Sequence, residues 1–134
     1  MLPTPKKWRS ILCINQDHQQ LNMQGLVLNS LANLDVHYCN SKKKAASVMN
    51  HIQPDAILFE LEQGDDFLSA LACLDDAETN NIPVICIVDH AQHQQLSENY
   101  HRNLVGAIVK PIELLQLPDR VIEILENSHL QALH

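Results

Sequence analysis

The sequence predicts a doubly wound α/β domain, a parallel sheet with helices on both faces. Three observations predict it. The short apolar runs "SILCIN" (10–15), "DAILFEL" (55–61) and "IPVICIVD" (82–89) are continuous rather than alternating. Strands buried on both faces read that way. Between the runs lie segments with the apolar spacing of amphipathic helices. The two kinds of segment alternate five times along 134 residues, a length suited to one domain.

The elements follow in order. Residues 1–8 read as a loose or extended leader, because Pro3 and Pro5 oppose regular structure there. The first strand, 10–15, is followed by polar "QDHQQ". From about Asp17 to Leu34 the pattern is helical, with Leu21, Val27, Leu28 and Leu31 sharing a face. "DVHYC" (35–39) is a short strand of edge character. Ala45, Val48, Met49 and Ile52 keep the i, i+3, i+4, i+7 spacing of a helix, which Pro54 closes. After the strand at 55–61, Gly64 breaks the chain, and Phe67, Leu71 and Leu74 define a third helix. The strand at 82–89 precedes a polar helix over 91–103 and a last strand, "VGAIVKP" (105–111). Leu117, Val121, Ile124 and Leu125 mark the final helix, with Pro118 in its first turn. The domain is expected to span 9–127, and 128–134 to extend the helix or begin a linker to an output domain beyond.

Composition narrows the function. Hydrophobic residues make up 46% but aromatics only 4%, so aliphatic side chains must fill the core. The net charge of -7 disfavours direct binding of nucleic acid, which needs clustered Lys and Arg. The one basic cluster, Lys42-Lys43-Lys44, follows Ser41, a good N-cap, and is expected to open a solvated helix. No apolar run approaches a membrane span, and no signal-peptide core follows the N-terminal charges, so a cytoplasmic protein is expected. Cys13, Cys39, Cys73 and Cys86 form no CxxC pair and read as buried free thiols.

In parallel sheets of this kind the functional crevice lies beyond the carboxyl ends of the strands. Those ends deliver Asn15, Gln16 and Asp17, then Glu60 with Glu62, Asp65 and Asp66 nearby, then Val88, Asp89 and His90, and last Lys110 and Pro111. "ILCINQD", "PDAILFELEQGDD", "PVICIVD" and "GAIVKP" resemble the receiver domains of bacterial two-component response regulators, over roughly Arg9 to Asn127. The resemblance implies a flavodoxin-like (βα)5 fold with strand order 2-1-3-4-5. It also implies a role in signal transduction or a phosphorelay, without enzymatic activity.

Such domains carry two acidic residues for magnesium, a phosphoacceptor aspartate, a hydroxyl residue, a lysine and often an aromatic switch. Here the acidic pair matches Asn15 and Gln16, the acceptor Glu60, the hydroxyl Val88 and the aromatic switch Ala107. Only Lys110, with Pro111 after it, is retained. Magnesium prefers hard charged oxygens, so its binding is expected to be lost or weak, and phosphoryl transfer loses its main stabiliser. The expected protein is a degenerate "pseudo-receiver" with no cofactor, acting by binding other proteins. Glu60 is then either a permanent partial mimic of a phosphorylated residue or a structural partner of Lys110. The structural role is preferred, because Val88 and Ala107 lack the groups that would read a mimic.

Three other readings use the same crevice. Asp17, His18, Glu60, Asp89, His90 and His93 share one end of the sheet, and imidazole with carboxylate suits zinc or another transition ion. A metal- or small-ligand-sensing module follows from that set, against the plainer reading that 8 histidines cluster by chance. A nucleotide-binding enzyme would need a glycine-rich phosphate cradle, which "NQDHQQ" does not offer. Asp17, Glu62, Asp65 or Asp66 as a surviving phosphoacceptor competes with their reading as solvated loop carboxylates. The resemblance implies as partners a histidine kinase, an output domain or another regulator. It also implies dimerisation through the fourth helix, fifth strand and fifth helix, where Tyr100 is the one large anchor in a polar helix.

Overall fold

A computed structural model describes residues 8–62, 67–98 and 101–132, with side chains for 8–62, 72–98 and 101–128. The leader before Trp8 and the expectations for Gly64, Asp65, Asp66 and Tyr100 lie outside these residues. So do the side chains of Phe67 and Leu71.

Five strands form one parallel sheet in the order β2-β1-β3-β4-β5. They are β1 (Ser10–Ile14), β2 (Asp35–Cys39), β3 (Ala56–Glu60), β4 (Val84–Val88) and β5 (Leu104–Val109). The helices between them are α1 (His18–Ala32), α2 (Ala45–Ile52), α3 (Phe67–Thr79), α4 (His90–Glu98) and α5 (Leu117–Ala132). This is the flavodoxin-like (βα)5 arrangement expected from the sequence. Among the described residues no helix is long and apolar enough to cross a membrane.

Strand alternation explains why the core has two halves. Leu12, Ile14, Ile57, Phe59, Cys86 and Val88 face α2, α3 and α4. Ile11, Cys13, Leu58, Ile85, Ile87 and Ile108 face α1 and α5. Every residue of β3 and β4 is buried, as central parallel strands require. β2, at one edge, is half solvated. In β5 the register skips Val105: Val84 pairs with Leu104, and Ile85 with Gly106. This bulge sets Gly106 against α5, where a Cβ would stand 2.6 Å from Ile124 Cγ2.

Local signals set the boundaries. Asp17 caps α1, its Oδ1 accepting from the backbone N–H groups of Gln19 and Gln20 at 3.0 and 3.1 Å. Asn33, left-handed at φ 56°, closes it. Gln53, at φ 51°, closes α2 just before Pro54. Asp55 pins the start of β1, its Oδ2 accepting from Arg9 and Ser10 N–H.

Several expectations need correction. Trp8, assigned to the leader, packs against the α1/α5 half of the core. Leu31 is 60% exposed. The inward face of α1 runs through Leu21, Gln24, Gly25 and Leu28, and its last turn rests on Ala32 instead. Ser41 makes no side-chain cap, and Lys42–Lys44 forms a 3-10 turn ahead of α2. The fourth helix begins at His90, and residues 101–103 are a turn outside it. Asn103 explains that turn: its buried amide donates to the carbonyls of Ala77 and Ile82, sealing the end of α3. Lys110 and Pro111 follow β5 rather than lie in it.

Candidate functional site

The carboxyl ends of β1, β3, β4 and β5 gather Asn15, Glu60, Val88 and Lys110 at one end of the sheet. Glu60 ends β3 with its side chain about 10% exposed. Residues 56 and 58 face α1 and α5, and Glu60 shares that parity. Its Oε1 accepts from Gln24 Nε2 of α1 at 2.8 Å. Its Oε2 lies 3.5 Å from Lys110 Nζ, which donates to the carbonyl of Leu61 at 3.1 Å. The carboxylate is therefore held by an amide on one side and an ammonium on the other.

The neighbouring positions are equally committed. Asn15 is buried, and its Oδ1 accepts from Asp17 N–H at 2.9 Å while its Nδ2 has no hydrogen-bond partner among the described residues. Gln16 is exposed, and with its amide turned to donate it reaches both Glu62 oxygens at 2.9 and 2.8 Å. Val88 is fully buried, and Ala107 packs in the same half of the core. The backbone of β4 and the turn after β5 are tied by Lys110 N–H to Val88 O at 2.8 Å.

The histidine and acid positions do not form a ligand set. Asp17 is occupied as the cap of α1. Asp89 caps α4 in a reciprocal pair: Gln92 N–H donates to its Oδ1 at 2.8 Å, and Gln92 Oε1 accepts from Asp89 N–H at 2.9 Å. His18 Nε2 meets Asn40 Nδ2 at 2.6 Å, and His90 and His93 are exposed on the first turn of α4. Among the described residues the acid–imidazole group whose ligand atoms converge is Asp75, Glu78 and His101, at the opposite end of the sheet. There Asn103 N–H donates to His101 Nδ1 at 3.2 Å. The imidazole proton then sits on Nε2, facing Asp75 and Glu78 at 3.2 and 3.4 Å. That arrangement latches α3 to the turn before β5.

All four thiols are buried. Burial pushes Cys13 and Cys86 up to about 12, and pushes Cys73 up as well, helped by Cys86, Asp76 and Cys39. None of these three is poised as a nucleophile.

Sequence reasoning missed Gln24. The signal was present, since Gln24 falls three residues after Leu21 on a face that is otherwise apolar. It also missed the hollow beside Glu60. This depression of about 430 Å³ lies between α1 and the turn that leads into α5. Glu60, Lys110 and Gln24 line it on the polar side, and Met23, Ile112 and Leu117 on the apolar side.

No protein-family model matches the chain, and no curated protein does. Solved structures do match in fold. A CheY-like response regulator receiver domain protein from Methanospirillum hungatei JF-1 superposes with a TM-score of 0.74 at 15% identity, covering 93% of this chain and 99% of its own. A response regulator from Desulfuromonas acetoxidans gives 0.65 at 23%, covering 90% and 98%. A response regulator receiver modulated diguanylate cyclase from Pelobacter carbinolicus gives 0.66 at 19%, covering 92% and 97%. The chain thus has the CheY-like receiver fold.

Proposed function

We propose that this chain is a degenerate receiver domain that acts in signal transduction by binding another protein, without being phosphorylated. The observation that carries this reading is the state of Glu60. The buried carboxylate at the end of β3 is engaged by Gln24 and Lys110, where a receiver of ordinary chemistry would expose an acceptor aspartate. Around it, Asn15 and Gln16 are neutral amides turned to Asp17 and Glu62, and Val88 offers no hydroxyl.

The physical consequence is a fixed switch. Phosphoryl transfer to a carboxylate needs a metal to neutralise the developing charge. Two amides in place of two carboxylates supply neither the charge nor the hard oxygens that magnesium favours. A glutamate also carries one negative charge where a phosphoryl group would carry about 1.5 to 2. Glu60 therefore serves as a structural partner of Lys110 that fixes this end of the sheet in one state. A histidine kinase, an output domain or another regulator is the class of partner this reading names, and no enzymatic activity is assigned.

The test is incubation with magnesium and acetyl phosphate, followed by intact mass measurement. An unmodified chain is expected. A stoichiometric, acid-stable or hydroxylamine-sensitive phosphoryl adduct would overturn the reading.

A further inference from the structure

We propose that the hollow between α1 and the turn after β5 binds a small neutral amphipathic molecule whose polar end both donates and accepts a hydrogen bond, as a primary carboxamide does. This inference goes beyond the protein-binding role and does not depend on it. The volume, about 430 Å³, is that of small-ligand sites, which pair an apolar lining with a few convergent polar groups. Met23, Ile112 and Leu117 supply the apolar lining, and Gln24, Glu60 and Lys110 the polar groups.

The polar side specifies the head of the ligand. A carboxylate offers about four acceptor sites. Among the described residues Glu60 takes one hydrogen bond, from Gln24, and its Oε2 has the Lys110 ammonium at 3.5 Å. That is an ion-pair separation, longer than a charge-assisted hydrogen bond of about 2.8 Å. Acceptor capacity therefore faces the hollow on a group that is nine-tenths buried. Lys110 gives one N–H to Leu61 O, and an ammonium carries three donors. One side of the hollow accepts and the other donates.

Charge disfavours the ionic alternatives, since each would pair with one of Glu60 and Lys110 and be repelled by the other. Glu60 and Lys110 sum to zero, and Gln24 is neutral. A carboxylate head has no proton for Glu60 and is repelled by it. An ammonium head has no acceptor for Lys110 and is repelled in turn. A carboxamide donates its N–H to Glu60, accepts from Lys110 and leaves the local charge balanced. Its apolar body lies against Ile112 and Leu117, with Met23, 47% exposed, at the mouth.

The test uses hexanamide, hexanoate and hexylammonium, which share a six-carbon skeleton and differ in the head. Each is titrated into the full chain while backbone amide resonances are followed. Hexanamide is expected to give saturable shifts at Gln24, Lys110 and Ile112, and to bind about tenfold more tightly than either ion, the factor one mismatched hydrogen-bonding group is worth. Met23→Trp fills the mouth from an exposed position, and Gln20→Trp does so independently, since Gln20 also lines the hollow one turn earlier. Both should abolish the shifts while leaving the circular dichroism and melting midpoint unchanged. The inference is overturned if no probe moves these resonances, if either ion binds as tightly as the amide, or if a folded Trp variant binds undiminished.

Discussion

Removing Lys110 should cost far more than removing the charge on Glu60. The two partners differ in burial: the glutamate side chain is about 10% exposed and the lysine 32%. At 3.5 Å the gross attraction is about 5 kcal/mol for an effective dielectric near 20, and desolvation of the carboxylate takes back much of it. In Lys110→Met the stem is kept and the ammonium lost. The carboxylate then stays buried with only Gln24, and a charged acceptor left in that state costs roughly 2–3 kcal/mol. In Glu60→Gln the new side chain still accepts from Gln24, and Lys110 turns to solvent or keeps Leu61 O, so the cost stays below about 1 kcal/mol. The double variant should resemble Glu60→Gln, because Lys110 then has no charge to neutralise. Urea unfolding of the four proteins forms the cycle. Equal costs for the two single variants, or a larger cost for Glu60→Gln, would refute the claim that the carboxylate is the constrained partner.

Three further outcomes follow from other parts of the molecule. Asp89→Ala removes the cap of α4 and the reciprocal bond to Gln92, and should cost about 1 kcal/mol in urea unfolding, with faster hydrogen exchange in the first turn of α4. Gly106→Ala drives a methyl into Ile124 and should cost about 1–3 kcal/mol; Ile124→Ala in the same chain should recover part of the loss, and no recovery would show that the cost lies elsewhere. Cys13 and Cys86 hold their protons more tightly in the folded state, with pKa about 12 against an ordinary 9.0. The stability they contribute is complete below pH 9 and falls as pH rises from 9 towards 12, by about 1.4 kcal/mol per pH unit for each thiol. Unfolding midpoints between pH 8 and 10 should fall less steeply in Cys13→Ala and Cys86→Ala than in the parent, and identical slopes would contradict the assignment.

The sheet was legible where burial is total. "AILF" and "VICIV" are continuous apolar runs because both faces of β3 and β4 are covered, and "ILCI" of β1 reads the same way for the same reason. α2 was legible because Met49 and Ala45 face one way and Ser47, Asn50 and His51 the other. α1 was harder. Its inward face contains Gln24 and Gly25, which break the apolar stripe, while Met23, Leu26 and Leu31 are apolar and exposed. Gly25 is small because Tyr38 of β2 lies against it, a contact between residues distant in sequence that no local pattern shows. The positions of Asn15, Glu60, Val88 and Lys110 were readable from strand ends. The second partner of the Glu60 carboxylate was not, because it is Gln24, reaching over from α1. The histidines illustrate the opposite limit. His18, His90 and His93 share an end of the sheet, yet placement at one end does not bring ligand atoms together, and among the described residues those that do converge are Asp75, Glu78 and His101.

On the proposed function, Glu60, Asn15, Gln16 and Val88 do not support a phosphorylation switch. The most direct measurement is thermal unfolding with magnesium and beryllofluoride, a phosphoryl mimic. A ligand present at a hundred times its dissociation constant adds about 2.7 kcal/mol of stability, which for a chain of this size raises the midpoint by several degrees. The expected result is a midpoint that does not move. A saturable upward shift that needs both magnesium and beryllofluoride would contradict it and restore a working acceptor site at the end of β3.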